Sequence, residues 1–333
     1  MTLKMFFGGH YMALLLLEYL VLSFLVVCSS IRISECVNEL DRRTKLGGAL
    51  IGGILLAGVT SLPELITSIF STTMLDNPDL AFGNILGSNA FNVFILAVGN
   101  LIFIKCTLFN KTTHANTITN LINCAIYLII LFSFYSVSTA RIGHVGVSSI
   151  LIAGLYYFNF KLASGSKGEN ESSSRSGKGN MIGLVIRFIV WTLIIVISSL
   201  FVSITTDSIA RETGIGSSFV GAIFLGIATS LPETTSLISL IRLRNYDMAV
   251  GNIVGSNLFN FGIIALTDVI YFSGNIFEIA DTSNSLLVFV GIAESIILAY
   301  MLMRRKVKNK ILYALPSILI IFIYSYYIVS SLK

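Results

Sequence analysis

The sequence predicts an all-α polytopic membrane protein: ten transmembrane helices in two inverted five-helix repeats. Three observations carry this. Of the 333 residues, 55% are hydrophobic and only 12% are charged, against about 25% charge in an ordinary soluble domain. The charges collect between apolar runs of about 20 residues, the length that crosses a bilayer. The chain also repeats itself. Residues 60–64 and 229–233 both read TSLPE. Residues 83–92 read GNILGSNAFN and residues 251–260 read GNIVGSNLFN, identical at eight of ten positions. Finally, one long break, 163–180, reads ASGSKGENESSSRSGKGN and leaves five apolar runs on each side. With an odd number of spans per half, the second half enters the membrane in the opposite sense.

The elements follow in order. Span 1, 11–31, is a long apolar run without a small-x-small cleavage signal, so it reads as a membrane helix and not a signal peptide. Spans 2 and 3, 46–72 and 80–104, carry the first TSLPE and GNI blocks; spans 4 and 5, 117–137 and 144–162, complete a first repeat of residues 1–162. Segment 163–180 has the Ser/Gly-rich, charged composition of a flexible linker. The second repeat, 181–333, begins with span 6 at 181–205. Spans 7 and 8, 215–241 and 247–272, carry the second copies, and spans 9 and 10 run over 284–303 and 311–331. Of the 22 Lys and Arg, all but Lys4, Arg141, Arg211 and Lys333 lie on the side of the loops after odd-numbered spans or at the start of span 6. Positive residues stay cytoplasmic, so both termini are expected outside and the linker inside a cell membrane. The excess of basic residues needs no nucleic acid to explain it.

The polar residues inside these spans carry the chemistry. Thr60, Ser61 and Glu64 share one helix face by their i, i+3 and i, i+4 spacing. Pro63 lacks an N–H and leaves the carbonyl of Val59 without its helical donor. Thr229, Ser230, Pro232 and Glu233 repeat the pattern, freeing the carbonyl of Ala228. In the second blocks, Ser88 and Asn92 lie i, i+4, as do Ser256 and Asn260, with Asn89 and Asn257 beside them. Carboxylate, hydroxyl and carbonyl oxygens without thiolate or imidazole suit hard cations such as Ca²⁺, Mg²⁺ and Na⁺. Each motif has a plainer reading. Gly83 with Gly87 and Gly251 with Gly255 form GxxxG, which by itself is a helix-packing device. A membrane Ser or Thr commonly bonds its own backbone. Neither reading accounts for two glutamates at matched positions, each costing at least about 2.5 kcal/mol at the bilayer centre.

Other features are less pointed. Glu18 and Glu294 fall in spans without a counterpart in the other repeat; His10, His114 and His144 lie at span ends. Cys28, Cys36, Cys106 and Cys124 show no CxxC spacing and read as buried apolar residues. No HExxH motif supports a zinc protease, and no nucleophile–base pair supports another enzyme. A cation channel would also use acidic rings, but paired repeats with broken helices favour alternating access.

At these residues the chain resembles the cation/calcium antiporter superfamily, specifically its sodium/calcium exchanger branch. GVTSLPE, GIATSLPE and the two GNIxGSNxFN blocks look like that family's paired alpha-repeats. The GNxxE context usual in the proton/calcium branch is missing. The resemblance implies Ca²⁺ ligation by Glu64 and Glu233, with Thr60, Ser61, Thr229 and Ser230 helping to bind Na⁺. It also implies Ser88 and Ser256 at flanking sodium sites, Asn92 and Asn260 at the centre, and backbone carbonyls near Ala57 and Gly226. Some members place an aspartate at one central amide position, where this chain has asparagine at both, which leaves the coupling ion open between Na⁺, H⁺ and K⁺. The expected cargo is Ca²⁺ and Na⁺, with no bound cofactor and no obligatory protein partner.

Overall fold

The computed structural model describes residues 2–44, 58, 60–135, 140–165, 181–281, 284–304, 307 and 309–331. Ala57, Val59 and nearly all of the 163–180 linker lie outside the described residues. The chain is almost wholly helical. The helices are α1 (Thr2–Thr44), α2 (Leu62–Thr73), α3 (Pro78–Ile102), α4 (His114–Tyr135), α5 (Val147–Gly165) and α6 (Met181–Thr213). They continue with α7 (Ser217–Thr229), α8 (Leu231–Arg242), α9 (Tyr246–Ile270), α10 (Ile276–Ile279), α11 (Asn284–Met303) and α12 (Lys310–Ser331). Between α4 and α5 a two-residue antiparallel hairpin pairs Arg141–Ile142 with Val145–Gly146.

Seven of these helices are long and apolar enough to cross a membrane, and α7 with α8, bent by 44°, makes an eighth if counted as one span. The protein is a multi-pass membrane protein. Every predicted span contains helix, α2 being described from Leu62 onward. Helices α1 and α6 outrun their apolar cores, because their polar flanks continue the same helical turns.

Burial sorts the helices. The spans of α3 and α9 are 72% and 67% buried, those of α1 and α6 only 22% each. So the two helices with the repeated GNI blocks form the centre, and α1 and α6 pack against each other at the edge. Close approach to α3 depends on glycine. A side chain at Gly83 would collide with the backbone of Ser218, and one at Gly87 with Ala222. The GxxxG stripe therefore seats α7 directly on α3.

The two halves are built alike down to their turns. Pro63 and Pro232 sit at the starts of α2 and α8, where a missing N–H is harmless. The residues before these helices have matching backbones: Ser61 at φ −91°, ψ 13° and Ser230 at φ −90°, ψ 3°. Asp79 Oδ1, at the start of α3, accepts from Asp281 N and Asn284 Nδ2, both at 2.7 Å. Asp247 Oδ1, at the start of α9, accepts from Thr113 N at 2.6 Å and Asn116 Nδ2 at 2.9 Å. Each aspartate thus pins the entry of a helix from the other half. Helix α7 contains a π-helical turn, Gly221–Leu225. The side chain of Tyr19 on α1 donates to the carbonyl of Phe224 there at 2.8 Å.

Candidate ion-binding site

The breaks before α2 and α8 set Glu64 and Glu233 in the first turns of their helices. Glu64 and Glu233 are both fully buried. Their hydroxyl partners come from the opposite half. Ser230 Oγ donates to Glu64 Oε1 at 3.4 Å, and Ser61 Oγ donates to Glu233 Oε1 at 3.3 Å. Thr229 also lies beside the Glu64 carboxylate, and Thr60 and Ser256 beside that of Glu233. Neither carboxylate is served by its own repeat alone.

Four amides complete the centre. Asn89 Nδ2 donates to the carbonyl of Asn257 at 3.2 Å, and Asn257 Nδ2 to the carbonyl of Asn89 at 3.1 Å. This exchange locks α3 to α9 at mid-helix. The remaining oxygens of the same two side chains accept from their neighbours. Asn92 Nδ2 donates to Asn257 Oδ1, and Asn260 Nδ2 to Asn89 Oδ1, each at 2.9 Å. An amide whose NH₂ is held in this way must turn its oxygen elsewhere.

What remains is a set of buried oxygens without a donor. Among the described residues, Glu64 Oε2, Glu233 Oε2, Asn92 Oδ1, Asn260 Oδ1 and Ser256 Oγ have no hydrogen-bond partner. A buried polar atom left unpaired costs about 1–3 kcal/mol, and more when charged. Oxygens of this kind are what a hard cation coordinates. Among the described residues no three of His, Cys, Asp and Glu come together. The donors are hard oxygens, two of them carboxylate, which is the chemistry of Ca²⁺ and Na⁺. Ser88 Oγ donates to the carbonyl of Gly226 at 3.2 Å and lies 3.3 Å from Thr229 Oγ1, so it flanks the Glu64 side.

Of the twelve residues singled out from the sequence, eleven are buried and Ala57 falls outside the described residues. The carbonyl of Gly226 is engaged by Ser88. The sequence reading missed Asn84. Its Nδ2 donates to Thr67 Oγ1 and Ser68 Oγ, both at 2.8 Å, and its Oδ1 accepts from Thr229 Oγ1 at 3.3 Å. A signal existed: Asn84 is repeated as Asn252, one turn before the serine of each block.

The sodium/calcium exchanger protein family matches residues 13–164 and again 183–333. The chain belongs to this family. The inner membrane protein YrbG of Escherichia coli (strain K12) is 29% identical over 296 residues, covering 84% of this chain and 86% of that protein. Among solved structures, the H+/Ca2+ exchanger CAX overlays with a TM-score of 0.68 at 16% identity, covering 96% of this chain and 90% of that one. The sodium-calcium exchanger NCX_Mj, soaked with Na+ and Sr2+, gives 0.61 at 18% identity, covering 94% and 97%. At these identities the likeness is one of fold.

Proposed function

We propose that the protein is a secondary antiporter that exchanges Ca²⁺ for Na⁺ across the cell membrane. The supporting observation is the set of four donor-free oxygens, from Glu64, Glu233, Asn92 and Asn260, contributed equally by the two halves. Two ionised glutamates carry −2. One Ca²⁺ cancels that charge, and so do two Na⁺. The same oxygens cannot serve both ions, so occupancy is mutually exclusive. A filled, neutral centre crosses the low-dielectric barrier, whereas an empty charged one pays a large desolvation cost. Obligatory exchange follows from this difference.

Alternating access in this reading opens the centre to one side of the membrane and then to the other. The 44° bend between α7 and α8 serves as a joint in this reading. Ten crossings, inverted halves, outside termini and a cytoplasmic 163–180 segment complete the proposal. The 163–180 segment is basic and polar, which fits the cytoplasmic side.

Sodium as driver rests on the hydroxyls. Thr60 with Ser61 and Thr229 with Ser230 flank the glutamates, Ser256 lies beside the Glu233 carboxylate, and Ser88 lies next to Thr229. Protons on carboxylates need no such oxygen cages. A proton-driven exchanger is the second reading, because two protons would neutralise the same pair. The deciding experiment is radioactive Ca²⁺ uptake into proteoliposomes preloaded with Na⁺, with K⁺, or at a different internal pH. Uptake driven by outward Na⁺ alone is expected. Uptake driven by a pH gradient but not by Na⁺ would overturn the sodium assignment and leave divalent antiport standing.

A further inference from the structure

A third glutamate lies deep in the helical bundle. Glu294, midway along α11, is fully buried, and neither carboxyl oxygen has a hydrogen-bond partner among the described residues. One turn earlier, Gly291 is the only residue that fits, because a side chain there would run into the ring of Tyr127. That clearance brings α11 against Tyr127 of α4 on the face that carries Glu294. The hydroxyls of Tyr127 and Tyr324 both lie within the electrostatic reach of Glu294. Tyr324 Oη is itself buried without a partner among the described residues. On its other side Tyr127 reaches the Asn89 side chain, whose Oδ1 accepts from Asn260 Nδ2 at 2.9 Å. Glu294 is therefore linked to the ion centre through Tyr127 and Asn89, without touching an oxygen of that centre.

The groups around it decide what it can hold. Helix α11 packs on α3, α4, α12 and the Leu108–Lys111 turn. Facing Glu294 are Tyr127 and Tyr324, with Cys124 beside Tyr127 and Tyr327 beside Tyr324. The charged groups on the packed elements are elsewhere. Asp79 is spent on Asn284, Lys111 lies over the Tyr246 ring at 4.3 Å, and Lys310 is exposed at the start of α12. His114 is at the far end of α4. Among the described residues no permanent cation balances Glu294, so an ionised carboxylate here is costly. The cost depends on the ion centre. A cation bound at the centre favours a negative charge on Glu294, so the proton leaves more readily from the filled state than from the empty one.

We propose that Glu294 is an exchangeable proton site whose occupancy follows that of the Glu64–Glu233 centre. The step is a simple ionisation: the O–H bond breaks, the electron pair stays on the carboxylate, and the proton passes to water. It rests on the antiport reading, and it makes cation binding and proton release reciprocal.

The test measures Ca²⁺ retention and proton release together, on purified protein in weakly buffered detergent solution with a pH-indicating dye. The unaltered protein should release more protons per Ca²⁺ bound than Glu294→Gln. Its Ca²⁺ affinity should also rise more steeply with pH. Glu294→Asp, which keeps an ionisable group, should restore both. Tyr127→Phe keeps the carboxyl and should weaken the pH slope, which covers the case in which Glu294→Gln fails to fold. Equal proton release and superimposable pH slopes, with Ca²⁺ still bound, would overturn the Glu294 site and leave the antiport reading untouched. Unaltered protein that binds no Ca²⁺ and releases no protons would overturn both.

Discussion

Asn84 and Asn252 hold the same place in the two repeated blocks, yet their surroundings differ. Asn84 is fully engaged, with Thr67 and Ser68 on α2 and Thr229 on α7. Asn252 Nδ2 is shut from solvent with no partner among the described residues. The reason lies in α8. Three and four residues after Glu64 come Thr67 and Ser68; the same positions after Glu233 are Ser236 and Leu237. Leu237 is buried in an apolar cluster with Val250 and Ile253 of α9. So α2 is bolted to α3 by an amide, whereas α8 meets α9 through aliphatic contacts. The duplication kept the glutamates, serines and central amides in both halves but not this bolt. The likeness of the two halves covers the glutamates, the central amides and the aspartates that pin α4 and α11, and it fails at this bolt, where the second half has the looser attachment.

This comparison can be broken or sharpened. The largest effect is expected at its symmetric part. Glu64→Gln and Glu233→Gln each remove half the charge of the centre at constant volume. Loss of a buried charged partner is worth about 2–5 kcal/mol, so each should abolish exchange, with Ca²⁺ uptake into vesicles as the readout. Near-normal transport by either would remove the two-glutamate centre.

Next come the amides. Asn92→Ala removes one free oxygen and leaves Asn257 Oδ1 without its donor, and Asn260→Ala does the same to Asn89. A lost buried hydrogen bond costs about 1–3 kcal/mol, so the Ca²⁺ concentration for half-maximal uptake should rise about tenfold in both. A rise in one variant but not the other would break the symmetry at the centre.

The hydroxyls should act more gently. Ser88→Ala and Ser256→Ala should weaken the dependence on Na⁺ more than the affinity for Ca²⁺, measured as separate titrations in vesicles. If both affinities fall equally, these serines serve the fold and not the flanking cages.

The asymmetric part predicts a stability difference. Asn84→Ala leaves the Ser68 hydroxyl without its amide partner, while Thr67 keeps its bond to the Pro63 carbonyl, and should cost about 1–3 kcal/mol. Asn252→Ala removes an amide that is already unpaired and should cost less. Thermal unfolding in detergent that ranks the two in the reverse order would refute the bolt. The smallest effect is expected at the linker. Replacing residues 163–180 with Gly/Ser of equal length should leave basal exchange unchanged, since that composition builds no packed core. Lost transport by properly inserted protein would count against it.

Periodicity, apolar length and exact repetition determined a great deal by themselves. Hydrophobic runs near bilayer length gave the helices, since only backbone bonded within itself survives in lipid. Two copies of TSLPE and of the GNI block marked the residues of the centre, because an unpaired charge in a membrane is too costly to be repeated by accident. Sequence spacing carries only neighbours on one helix. It could place Ser61 with Glu64, but not Ser61 against Glu233, a contact between residues 172 apart. Which amide hydrogens are spent, and therefore which oxygens stay free, depends on α3 and α9 meeting at Asn89 and Asn257. The same holds for Glu294. Its isolation is a property of the helices packed around it, and so was decided only when the chain folded.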